Sequence, residues 1–258
     1  MVALGVFLLV VGFCDLLRAA RDATTTRRRL LIAGIGLALL VLGGQAVGMD
    51  GAEWFGLGLG WMVGFLLWLL GSTAALTGGG TPARVVAFAG LGLGLVVSVV
   101  GGGVVGLDPA LPAALDGTLL APLRADLVVL VAGVAASQLS TANVAVRLVL
   151  DAVGVPAATG EKQLKGGRLL GPMERLLILG LGIAGGLTAA AIVVAAKGLL
   201  RFPELQRGAA APGPSDVTEY FLIGSFASWL LALGGVGVVA LAGLAGPGPM
   251  LTVPGVPF

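Results

Sequence analysis

The chain has 258 residues, 57% hydrophobic and 11% charged, with a net charge of +2 and a mean hydropathy of +1.06. A soluble domain is ~25% charged, so a chain this apolar cannot cover a water-facing surface. Its natural solvent is lipid, and no nucleic-acid partner is implied. It has no histidine and a single cysteine, Cys14, which excludes an internal disulfide, His-based haem or zinc ligation and Ser-His-Asp chemistry; neither cofactor nor metal is expected.

Read in chain order, seven apolar stretches approach the ~20 residues that a membrane span needs. Residues 2–17 form the first; it is short, carries Asp15, and is followed rather than preceded by its arginines, so it reads as a retained helix and not as a signal peptide. The second is 30–48. The third, 54–77, places Trp54, Trp61 and Trp68 seven residues apart on one stripe, Trp54 at an interface and the deeper two in packing. The fourth is 85–107, after a GGGTP connection at 78–82. The fifth is 127–146, with a polar last turn reaching Asp151. The sixth, 173–196, has Pro172 suited to its first turn. The seventh is 220–246. The expected fold is an all-α polytopic transmembrane bundle of about seven spans, one domain over 1–258, with no internal repeat to suggest an inverted-repeat transporter.

Lysine and arginine bias sets orientation. Loop 18–29, Arg84 and segment 147–175 hold eleven of these cations, against four on the other side: Arg124, Lys197, Arg201 and Arg207. The first group is expected to be cytoplasmic. The loop between the sixth and seventh stretches, with three cations, disagrees: either it is an exception or one span is miscounted.

Glycines four apart (Gly56, Gly60 and Gly64; Gly90 and Gly94; Gly182 and Gly186) predict close helix approach within the bundle, with homodimerisation as the alternative use of such a face. On the fifth span, Ser137, Ser140, Thr141, Asn143, Arg147 and Asp151 fall within roughly a 160° arc at 100° per residue. A polar stripe in lipid must face other helices or water, so it serves either interhelical hydrogen bonding, with Arg147 and Asp151 paired, or the wall of a polar path. Two ionic clusters are predicted, one at each membrane edge. Asn143, Arg147, Asp151, Arg168, Glu174 and Arg175 form one, with Arg147 near Glu174. Lys197, Arg201, Glu204, Glu219 and Tyr220 form the other, with Lys197 or Arg201 near Glu219.

Several polar landmarks follow in one order: Asn143 with Val146 and Arg147; Lys165, Arg168 and Gly171; Met173-Glu174-Arg175; Ala195-Ala196-Lys197; Leu200-Arg201-Phe202; and Glu219-Tyr220 running to Ser225 and Ser228. In these the segment from Asn143 to Ala242, roughly 40% of the chain, resembles the C-terminal part of an uncharacterised bacterial membrane-protein family, a domain of unknown function. The resemblance implies that the charged residues among these landmarks outweigh scattered surface charges, and it implies no activity. The first 125 residues depart from the family, which carries histidine and acidic residues early in its chain. Together these features lead to an expected non-enzymatic accessory or assembly subunit of the bacterial cytoplasmic membrane, whose partners are the lipid bilayer and a membrane protein or a second copy. The alternative is a small-solute or ion transporter using the polar faces of spans five to seven.

Overall fold

A computed structural model describes residues 1–19, 25–103, 123–154, 167–196 and 216–244, with isolated positions at 112, 113, 118 and 199. Among the described residues every regular element is helical. They are α1 (Val2–Ala19), α2 (Thr26–Ala46), α3 (Gly51–Leu76, with a π turn at Trp54–Gly58), α4 (Gly80–Gly101), α5 (Ala125–Leu139), α6 (Thr141–Ala152), α7 (Gly167–Ile183), α8 (Leu187–Ala196) and α9 (Asp216–Leu244). Four helices, namely α2, α3, α4 and the Leu222–Leu244 part of α9, are long and apolar enough to cross a membrane; α5 and α6, bent by 43°, make a fifth if taken together. The chain is therefore a helical protein of the membrane-embedded kind. Length and composition support four or five spans among the described residues, where seven were expected.

Local chemistry sets the helix starts. Thr25, extended at φ −62° and ψ 153°, accepts the Arg28 N–H at 3.4 Å and opens α2. Asp50 and Glu53 form a capping box at α3: the Ala52 N–H donates to Asp50 at 3.1 Å, and the Asp50 N–H donates to Glu53 at 3.0 Å. After α3, Gly78 takes φ +97°, a value that favours glycine, and the Gly79 N–H reaches the Ala74 carbonyl at 2.8 Å. This turn is so tight that α4 already begins at Gly80. The connection expected at 78–82 is shorter than its composition implies, because Thr81 and Pro82 sit in the first helical turn, where a proline costs no hydrogen bond.

Helices in lipid gain nothing from leaving lipid, so they associate by close contact. A Cβ added at Gly71 would stand 2.6 Å from the Ala87 nitrogen, and one at Gly64 2.8 Å from the Gly90 carbonyl; α3 and α4 pack backbone to backbone. Gly60, Gly64, Gly90 and Gly94 thus do what their spacing predicts, whereas Gly56 faces open space. A second seam joins α1 to α5, where a Cβ at Gly5 would meet the Leu130 backbone at 2.7 Å and one at Gly12 would meet Ala136 at 2.7 Å. Elsewhere a ring fills the space that a glycine leaves: Phe65 lies over Gly36, Phe7 over Gly94, and Trp54 over Gly44 and Gly58.

The first helix, short and carrying Asp15, is the centre of the bundle. Ala3, Phe7, Val11 and Cys14 are fully buried, and α1 packs against α2, α4, α5 and α6. Two stretches differ from their expected form. The fifth is broken at Ser140, whose φ of −134° and ψ of −56° are not helical. The sixth is not one helix either: α7 starts at Gly167, so Pro172 lies inside it, and it ends at Ile183. Gly185 takes φ +79°, and the Gly186 N–H closes on the Leu181 carbonyl at 2.7 Å. Gly182 lies against Val236 of α9 as expected, but Gly186 belongs to the cap and meets only its own chain.

Candidate functional site

The break between α5 and α6 organises the larger polar cluster. Ser140 Oγ donates to the Gly12 carbonyl at 2.6 Å and contacts the Ala136 carbonyl at 3.2 Å, so its hydroxyl ties α1 to the end of α5. A helix that ends inside a bundle leaves carbonyls without intrahelical donors, and a cation suits that negative end of the helix dipole. Arg175 of α7 meets this need. Its Nε and Nη2 donate to the Gln138 carbonyl at 3.0 and 2.8 Å, its Nη1 donates to Ser228 Oγ of α9 at 2.9 Å, and Nη2 also reaches Asn143 Oδ1. Arg175 is 2% exposed. One planar guanidinium therefore joins α5, α6, α7 and α9, a task that suits its fixed fork of donors.

Glu174, 7% exposed, accepts the Trp229 indole N–H at 2.9 Å. Gln138 donates its amide N–H to the Leu231 carbonyl at 3.1 Å. Gln138 Oε1 and Thr141 Oγ1, on the two sides of the break, are buried with no hydrogen-bond partner among the described residues. Trp229 also lines an apolar groove of about 690 Å³ between α4, α6 and α9, together with Phe88, Val146, Val149, Phe226 and Leu230.

Of the residues singled out in the first cluster, the structure brings Asn143, Glu174 and Arg175 into this arrangement. Arg147 lies half-buried on α6 and is engaged. Asp151 pairs with Arg84 of α4, an interhelical partner, rather than with Arg147 one turn before it. The reason is reach: Asp151 and Arg84 sit at adjoining helix ends, where α4 leaves and α6 arrives. Arg168 is on α7, and Glu219 and Tyr220 are on α9, with their side chains outside the described set. Lys197, Arg201 and Glu204 lie outside the described residues. The expected pairing of Lys197 or Arg201 with Glu219 falls outside them too.

A second buried ionic cluster was not anticipated. Asp15 and Arg18 of α1, 1% and 7% exposed, pair with Arg18 Nε donating at 2.8 Å and Nη2 standing 2.6 Å from the same oxygen. The other Asp15 oxygen accepts the Trp68 indole N–H at 3.0 Å, and Arg18 Nη1 donates to Thr73 at 3.1 Å. The Arg18 guanidinium also lies 6.0 Å from the Trp68 ring centre. The signal was present as two opposite charges three residues apart in an apolar run, a spacing that pairs them on one helix face. Trp61 likewise uses its N–H, donating to Ser98 at 2.8 Å. Among the described residues no group of acidic, cysteine or histidine side chains is placed to hold a metal.

Compared with protein-family models, with curated proteins and with solved structures, the chain matches none.

Proposed function

We propose that the chain is a non-enzymatic polytopic protein of the bacterial cytoplasmic membrane, an accessory or assembly subunit of a membrane complex. The observation that supports this reading is how the polar groups of the broken helix are used. Ser140, Gln138, Asn143, Arg175 and Ser228 bond to one another or to neighbouring backbone, so they fasten helices together instead of lining a path. The location rests on the resemblance that the segment Asn143 to Ala242 bears to a bacterial membrane-protein family. The groove beside Trp229 is apolar, which suits contact with lipid or another helix better than passage of a polar solute. Affinity purification of the tagged chain from native membranes in mild detergent tests the proposal: a stoichiometric complex with a second membrane protein is expected.

One observation favours the transporter reading. Gln138 Oε1 and Thr141 Oγ1 flank a broken helix, and solute sites in membrane proteins are often built at discontinuous helices. Recovery of the chain alone, together with ion or solute flux in proteoliposomes that Thr141→Val abolishes, would replace the first proposal with this one.

A further inference from the structure

The register of α7 against α9 fixes the direction of both. Arg175 meets Ser228, and seven residues on, Gly182 meets Val236, so the two helices run side by side in the same direction. In that register Ile178 is level with Ala232. If the chain continued straight past Ile183, Ala190 would stand ~18 Å beyond Ile178, at 1.5 Å per residue, close to the level of Leu244. Ala190 is instead buried in one cluster with Ile178 and Ala232, and Leu181, Val194 and Trp229 pack on that cluster. The chain has reversed. The reversal is the cap at Gly185 and Gly186, after which α8 runs back beside α7 from Leu187.

We infer that α7 and α8 form a re-entrant helical hairpin that enters and leaves through one membrane face, with its tip at Gly185. The sixth apolar stretch then does not cross. The start of α9 agrees, since Gly224 lies beside Leu150 and Val146 near the end of α6, so α6 arrives at the face from which α9 departs. The ends of α6 and α8 are thereby turned toward the same membrane face. The charge conflict then disappears: Lys197, Arg201 and Arg207 join the other cations, and of the 15 lysines and arginines only Arg124 is left opposite. The positive-inside rule is then obeyed by every loop but one residue.

Cysteine labelling with a membrane-impermeant maleimide tests this in a Cys14→Ser background. Ala157→Cys marks loop 153–166, Ala113→Cys marks the opposite side, and Ala209→Cys is the position in question; labelling after denaturation sets the full signal for each. Ala209→Cys is expected to label from the same membrane face as Ala157→Cys. Labelling from the face of Ala113→Cys overturns the hairpin. A second measurement reads the fold directly: oxidation is expected to cross-link Ala190→Cys with Ala232→Cys, whereas cross-linking of Ala190→Cys with Leu244→Cys would show a straight span and overturn the inference. Neither readout depends on whether the chain serves a complex or moves a solute.

Discussion

At the scale of single residues, the two buried arginines carry the most weight because each satisfies several acceptors at once. Arg175→Met would leave the Gln138 carbonyl, Asn143 and Ser228 without their donor. These acceptors are neutral, so the change leaves buried acceptors unpaired rather than a stranded charge, at ~1–3 kcal/mol each, and a loss of that order is expected in denaturant unfolding in detergent. Ser228→Ala removes one acceptor and should cost ~0.6 kcal/mol, the average for an interhelical hydrogen bond in a membrane. Equal effects for the two variants would show that Arg175 acts locally. For Asp15 and Arg18, a double-mutant cycle with Asp15→Asn and Arg18→Gln should give a coupling of ~0.5–3 kcal/mol, and strict additivity would mean that the pair is screened by water. Glu174 and Arg175 were legible in sequence as charges at the start of an apolar stretch. The Gln138 carbonyl was not, because a backbone acceptor is exposed only where a helix breaks, and Ser140 shows no proline to announce the break.

At the scale of elements, small residues decide which helices meet. Gly64→Leu forces a side chain into the α4 backbone and is expected to abolish a monodisperse folded peak in size-exclusion chromatography. Gly56→Leu faces open space and should leave that peak and the melting temperature unchanged. The same contrast holds where α7 ends: Gly182→Leu meets Val236 and should lower the melting temperature, while Gly186→Leu should act only through the cap. Equal loss in these two variants would mean that both positions lie on one continuous helix face. Spacing in the sequence located the α3–α4 seam because four-residue repeats bring small groups onto one line. It missed the α1–α5 seam, where Gly5 and Gly12 are seven apart, and it misjudged Gly186. Residues 173–196 are apolar without interruption, and in lipid a helix that reverses halfway carries the same composition as one that crosses.

For the whole molecule, solvent explains both what was legible and what was not. Charge and hydropathy report the surrounding lipid directly, so the membrane-embedded class follows from composition. The arrangement of helices depends on contacts between apolar faces, and apolar faces all look alike in a sequence. For that reason α1, short and interrupted by two charges, reads as marginal yet sits where α2, α4, α5 and α6 converge. Deleting residues 2–18 is expected to leave no folded species in detergent, since four helices lose their common neighbour. A stable, monodisperse product would show that the rest of the bundle closes without it.

The ion pair of α1 has a consequence for how the protein is made. Asp15 and Arg18 find their remaining partners on α3, Asp15 bonding to Trp68, 53 positions later in the chain. At a synthesis rate of ~5–20 residues per second, that partner emerges about 3–11 s after Asp15. During this interval α1 carries two charges near its end whose bonds to α3 are unmade, and a charge in lipid without its partners is costly. Although it precedes α3 in the chain, α1 is therefore expected to settle only when α3 arrives to receive it. Cys14, fully buried in the finished bundle, can time that arrival: arrested chains ending before residue 54 should keep the thiol open to maleimide, and chains extending past residue 101 should hide it.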